Sequence, residues 1–210
     1  TISNTINFTV NSGAHLEMAA AGTQVQGGGS FTMINSSRLG IKATDGIAAS
    51  GPSGHIRVTG IRNYGSNNSF DYIGTAAQVT GTGLPATVNN LLINNATGVT
   101  QTNTSLTVNG ILDLTSGVYT SNTFLLVSAT GDIENFGTTN YVNGPLSREF
   151  TGLETKQFPI GKGGNYRILS VQLTALTGTT IINAEQFEDA LTGTLPTGVS
   201  LYTARRWVLS

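Results

Sequence analysis

Asp132-Ile133-Glu134 is the acidic pair in this sequence best spaced for reaction chemistry. On a β-strand, residues two apart share a face with their Cα atoms roughly 6.5 Å apart, a separation that would suit a two-carboxylate glycosidase if a cleft enclosed it. Adjacency is the only catalytic mark the pair carries, and the residues favour two acids on a wetted strand. Glu185, Glu188 and Asp189 form a second acidic group. Ca²⁺ would need several converging oxygens there, and a charged loop is the simpler reading. His15 and His55 lie far apart without a His or Cys neighbour for a metal, and no GxSxG elbow supplies a serine for either to activate. Tyr64, Phe70 and Tyr72 are close in sequence, and aromatic rings can stack on sugars. Phe70 and Tyr72 share one strand face, however, which is the pattern of a core. Gly161-Lys162-Gly163-Gly164 lacks the GxxxxGK[ST] spacing of a phosphate loop and reads as a turn. The sequence thus predicts no catalytic, cofactor-binding or metal-binding residues, no cofactor, and no enzyme.

The elements that hold these side chains must be built from an unusual composition. Only 10% of the 210 residues are charged, well below the roughly one quarter of ordinary domains, while Gly reaches 27. Polarity therefore comes from hydroxyls and amides. Apolar residues still make up 38% and recur in short alternating runs, so a folded chain is expected rather than disorder. A net charge of −1, with Lys and Arg scattered apart from Arg205-Arg206, gives no attraction to phosphate and argues against nucleic acid. Cysteine is absent, which removes disulfides and thiolate metal sites. No apolar run approaches the roughly 18 residues that span a bilayer, and Thr1-Ile2-Ser3-Asn4 is no signal peptide.

Apolar positions alternate with period two, and Gly, Asn, Ser or Thr interrupts each run, which predicts an all-β protein of short strands. Among these are Ile6–Val10, His15–Ala19, Phe31–Ile34, Arg38–Ala43, His55–Thr59, Ser69–Ile73, Val88–Asn94, Ser105–Val108, Ile111–Leu114 and Thr123–Val127. Three segments repeat a pattern: FTVNSGAHLEM from Phe8, FTMINSSRLGI from Phe31 and LTVNGILDL from Leu106. Alignment puts Phe8, Phe31 and Leu106 together, then Val10, Met33 and Val108, with Glu17, Gly40 and Asp113 sharing one outward slot. The first two copies are one coil apart on the scale of stacked repeats, so the expectation is a parallel β-helix, or β-solenoid, with apolar columns inside. Asn11, Asn35 and Asn109 follow the repeated strands and are expected at corners, where asparagine tolerates a left-handed backbone.

FTVNSGAHLEM, the run from Phe70 to Thr100, LTVNGILDLTSGVYTS and YVNGPLSREF together resemble the repetitive regions of large surface and secreted proteins of Bacteroidetes. The likeness covers most of residues 1–150. KQFPIGKGGNYRILSVQL is similar to the small β module that often follows in those proteins. The resemblance implies secretion by the type IX pathway, a place at the cell surface or outside the cell, and a stalk or adhesin-like role, with no catalytic motif to carry over. From Pro145 on, the charge density rises and the repeat is lost. The expected organisation is a β-helix over 1–144 and a small β-sandwich-like module over 145–210, cut short at its C-terminal end. The expected function is a non-enzymatic structural or adhesive region acting as stalk, spacer or binding surface. Surface glycans or surface proteins are the expected partners, and the type IX machinery is expected during export. A carbohydrate-active or carbohydrate-binding β-helix is the alternative. An ice-binding solenoid would need a periodic Thr-x-Thr array, and Thr102-Asn103-Thr104 does not recur at a coil period.

Overall fold

The structure, a computed structural model, describes residues 5–189, 197 and 205–210. Short strands separated by polar corners wind into a β-solenoid of about 7 turns, and the described residues contain no helix. Three faces run along it. The first stacks His15–Glu17, Arg38–Ile41, Ser69–Tyr72, Leu91–Asn94, Ile111–Ser116 and Asp132–Glu134, every pair parallel. The second stacks Thr87–Val88, Ser105–Val108, Phe124–Val127 and Leu146–Phe150 in parallel. The third stacks Gln78–Val79, Val99–Thr100, Tyr119–Thr120, Val142–Asn143 and Ile160–Lys162, again in parallel. Two smaller parallel sheets serve the early coils: Phe8–Val10 with Phe31–Met33 and Arg62–Asn63, and Val25–Gly27 with Ile56–Val58.

Because each strand pairs in register with the one a coil earlier, like side chains fall into columns. On the first face the inward column is Leu16, Leu39, Phe70, Leu91, Leu112 and Ile133, all buried except Leu16, which is partly exposed on the first coil. On the second face Val88, Val108 and Val127 form another buried column. Val10, Met33 and Val108 are interior, as the repeat alignment predicts. The alignment is corrected at its first rung. Phe8 stacks on Phe31 with ring centroids 5.7 Å apart, but the next rung is Arg62 and not Leu106, which lies over Leu125 in a different sheet. Phe8 itself is 37% exposed, because no described residue stacks on its outer side.

Coil length is most uneven early and later stays between 18 residues per rung, at Val142–Ile160, and 23, at Tyr119–Val142. Asn7 reaches Ser30 across 23 residues and Ser37 reaches Asn68 across 31, whereas Ser69–Asn90 and Asn90–Ile111 both span 21. The long second coil carries an extra loop over residues 44–55. Corners use backbone freedom differently from expectation: the left-handed residues near Asn11 and Asn35 are Gly13 and Ser36, and the asparagine that adopts this conformation is Asn135. Gly117, also left-handed, sits so close under the preceding coil that a Cβ would collide with the Asn95 carbonyl.

Past residue 144 the chain first continues the stack and then reverses it. Leu146–Phe150 and Ile160–Lys162 add parallel rungs to the second and third faces. Asn165–Tyr166, Thr180–Phe187 and Arg206–Leu209 then pair antiparallel, closing that end of both sheets. Pairing is therefore continuous across the 144/145 position.

Candidate functional site

Asp132 and Glu134 both lie outward on the last strand of the first face, as two-residue spacing requires, with buried Ile133 between them. The stack assigns them different neighbours. Glu134 ends an outward ladder that runs Glu17, Gly40, Asp71, Leu92, Asp113 and Glu134, so the predicted equivalence of Glu17, Gly40 and Asp113 is present in the register. Its closest acidic neighbour is thus Asp113, one coil away. Asp113 accepts hydrogen bonds from Thr115 Oγ1 at 2.7 Å and Asn135 Nδ2 at 2.9 Å. Asp132 instead faces Arg148, whose Nη2 lies 3.4 Å from its Oδ1.

Arg148 is the residue that breaks the rule of the columns. In register it follows Val88, Val108 and Val127, yet it places a guanidinium where the pattern calls for a fourth apolar side chain. It is only 3% exposed. Its Nη1 donates to the Gln157 carbonyl at 3.1 Å and its Nη2 to the Gly131 carbonyl at 3.2 Å, while Nε is buried without a partner. Burial pulls the Arg148 pKa down from its ordinary value, and Asp132 opposes that shift. Lys156 occupies a second inward position nearby: its ammonium donates to the Ala129 carbonyl at 2.9 Å, sits 5.7 Å from the Phe150 ring centroid and lies 3.5 Å from Glu154 Oε2.

A polar interior is tolerated here because the first face stops. Asp132–Glu134 is the last strand of that sheet, and Thr155–Phe158, which follows one coil later, pairs antiparallel with Leu169–Gln172 instead of adding to it. The gap between them is a cleft of about 550 Å³, with Asp132 and Phe136 on the solenoid side and Glu154, Thr155 and Gln157 opposite. Arg148 and Lys156 also line it. This is within the size range of small-molecule sites.

The other candidates have structural employment. His55 is buried; its Nε2 accepts from the Lys42 and Ala43 amides at 2.8 and 2.7 Å, so Nδ1 carries the proton and donates to the Thr23 carbonyl at 2.6 Å. Burial lowers its pKa below 6.5. It is a staple for the long second coil. His15 lies half-exposed, 3.5 Å from the buried Asp71 carboxylate, which is held by Arg38 and has its pKa raised by burial. Tyr64, Phe70 and Tyr72 are core, and the two hydroxyls donate to the Ala48 and Thr80 carbonyls. Glu185, Glu188 and Asp189 pair with Lys162, Arg167 and Arg206, with Arg205 also near Glu188. Lys162–Glu185 fastens a closing strand to the last third-face rung, and the other pairs tie the closing segment to itself. Among the described residues no group of three His, Asp or Glu side chains is placed to hold a metal ion. Gly163 and Gly164 form the expected turn with positive φ. At the Thr102-Asn103-Thr104 corner, Thr102 accepts from the Gly81 amide and Asn103 donates to the Leu84 carbonyl.

Comparison with known proteins gives no relative to reason from: no family model, curated protein or solved structure matches this chain. The site must be read from its own geometry.

Sequence reasoning noticed Arg148 only as part of a rise in charge density. The signal that would have found it is the column itself: once Val108 and Val127 are placed a coil apart, the next rung is Arg148. The buried corner amides were also missed. Asn68 Oδ1 accepts from the Ser37 amide, Gln78 donates to the Ile41 and Ala43 carbonyls, Asn95 donates to Gln78 Oε1, and Gln101 donates to the Phe124 carbonyl. Each satisfies corner groups that water cannot reach.

Proposed function

We propose that this chain is a non-enzymatic structural repeat region of a secreted or surface-exposed bacterial protein, a rigid spacer that also presents a binding surface. The unbroken inward column of the first face, from Leu39 through Phe70, Leu91 and Leu112 to Ile133, is the observation that carries this reading. Such a core resists bending along its whole length, because each coil packs on its neighbours. Seven rungs at about 4.8 Å each give roughly 30 Å of rise. The resemblance of residues 1–150 to Bacteroidetes surface proteins supports export by the type IX machinery and surface glycans or proteins as partners.

The acids on the first face are the obvious challenge to a non-enzymatic reading, since Asp113 and Glu134 are adjacent rungs. Incubation with a panel of neutral and acidic polysaccharides, followed by assay for new chain ends, tests it. The expected outcome is no turnover. Product release that disappears in Asp113→Asn or Glu134→Gln, with the thermal midpoint unchanged, would make the chain an enzyme.

A further inference from the structure

The cleft at the split in the first face contains charges arranged for more than local support. Buried arginine in an apolar column is costly, and a valine in the same register would continue the pattern of the three rungs before it. The two cations are balanced by two carboxylates across the opening: Arg148 with Asp132 at 3.4 Å and Lys156 with Glu154 at 3.5 Å. Both separations exceed the 2.7–2.9 Å or so of a tight charge-assisted bond, so each carboxylate keeps acceptor capacity and each cation keeps donors. Arg148 Nε has no partner at all. Charge in the cleft is thus matched within it, which gives no net attraction to an anion or a cation. A hydroxyl, by contrast, can donate to a carboxylate and accept from a neighbouring cation at once. Thr130, Thr155 and Gln157 add further neutral donors and acceptors, and the half-buried Phe136 ring adds an apolar wall.

We propose that this cleft binds a neutral, hydroxyl-rich sugar chain, with Asp132 and Glu154 accepting from ring hydroxyls, Arg148 and Lys156 donating to ring or hydroxyl oxygens, and Phe136 packing against the C–H face of a pyranose. The cleft's volume of about 550 Å³ accommodates more than a single sugar ring. The proposal deepens the reading of this chain as a presenting surface and rests on it.

The test is titration of the isotope-labelled chain with neutral hexose oligomers, uronate oligomers and an unstructured peptide, followed by amide chemical shifts. Saturable shifts confined to residues 129–136, 148 and 154–157 are expected with a neutral oligomer alone. Glu154→Gln, on the exposed wall, and Phe136→Ala should each weaken binding about tenfold or more, while Glu134→Gln, outside the cleft, should leave it unchanged. Absence of saturable shifts with every neutral oligomer overturns the proposal. So does binding of only the uronate or only the peptide, or neutral binding insensitive to both cleft variants. New chain ends appearing alongside cleft binding would support the site while sinking the non-enzymatic reading; no binding and no turnover would sink the site alone.

Discussion

The middle coils and the last coil share the register of the second face, but the last coil adds two buried cations, Arg148 and Lys156, to an interior that is otherwise largely apolar in both. In the middle coils, Val88, Leu91, Leu106, Val108, Leu112, Leu125 and Val127 fill the inward positions with complete burial. In the last coil, Arg148 takes the rung after Val127, and Lys156 points inward from a strand that pairs with no earlier coil; both are nearly as buried. Register alone therefore does not require an apolar side chain. What differs is the number of closed faces: the middle coils are hydrogen-bonded to a neighbour on all three faces, whereas the last coil lacks its first-face rung. That opening supplies carbonyls at Ala129, Gly131 and Gln157 that need donors, and long cationic side chains reach them.

The largest effect should come from moving the last coil's chemistry into the middle. Leu112→Asp places a carboxylate in a closed column, where no N–H or O–H donor or cation is free to pair with it, at a cost of several kcal/mol. Hydrogen exchange should show protection lost first around Ile111–Val127, with Phe31–Ile41 retained longer, since each coil contacts mainly its neighbours. Uniform loss along the chain would mean that the coils do not act as separable units.

The reverse exchange should be milder. Arg148→Met restores an apolar rung but orphans the Gly131 and Gln157 carbonyls, which should destabilise by about 1–3 kcal/mol in denaturant unfolding. If Arg148→Met were more damaging than Leu112→Asp, the closed-face explanation would be wrong.

Acidity probes the early coils alone. Burial depresses the pKa of His55, so unfolded chains take up a proton near 6.5 while the folded chain does not. The stabilisation from neutral His55 is complete above that pH and is lost as pH falls toward the lower folded pKa. The urea midpoint should fall between about pH 7.5 and 5, with a shallower slope in His55→Gln. That variant keeps Asp71, whose raised pKa contributes with the opposite sign at lower pH. An identical slope in both proteins would remove His55 from the account. Smallest of all, Asp113→Asn should change stability by within about 0.5 kcal/mol, because its ladder position is half-exposed and an amide oxygen still accepts from Thr115 and Asn135.

The solenoid was legible in sequence wherever a strand was long enough to alternate. Phe31–Met33 and Ser105–Val108 announce themselves by two inward apolar residues around a threonine, and Arg38–Ile41 by two around a glycine. The third face did not, since Val99–Thr100 and Tyr119–Thr120 are two residues long and carry no period to read. Asp132 was legible as an acid on a wet strand. The cleft beside it was not, because it arises where Thr155–Phe158 declines to pair with residues 132–134, an event written in no local pattern.

The 21-residue interval shared by Ser69, Asn90 and Ile111 has a genetic consequence. An in-frame duplication of any such segment inserts a whole coil whose side chains meet the existing columns in phase, so both flanking sequences keep their partners. A duplication that begins and ends inside a strand at unmatched positions would instead set the following residues out of phase, whereas corners absorb extra length, as residues 44–55 do. Inheritable change in the reach of this protein should therefore occur in whole-coil jumps, and recombination between neighbouring copies can make them without inventing a new contact.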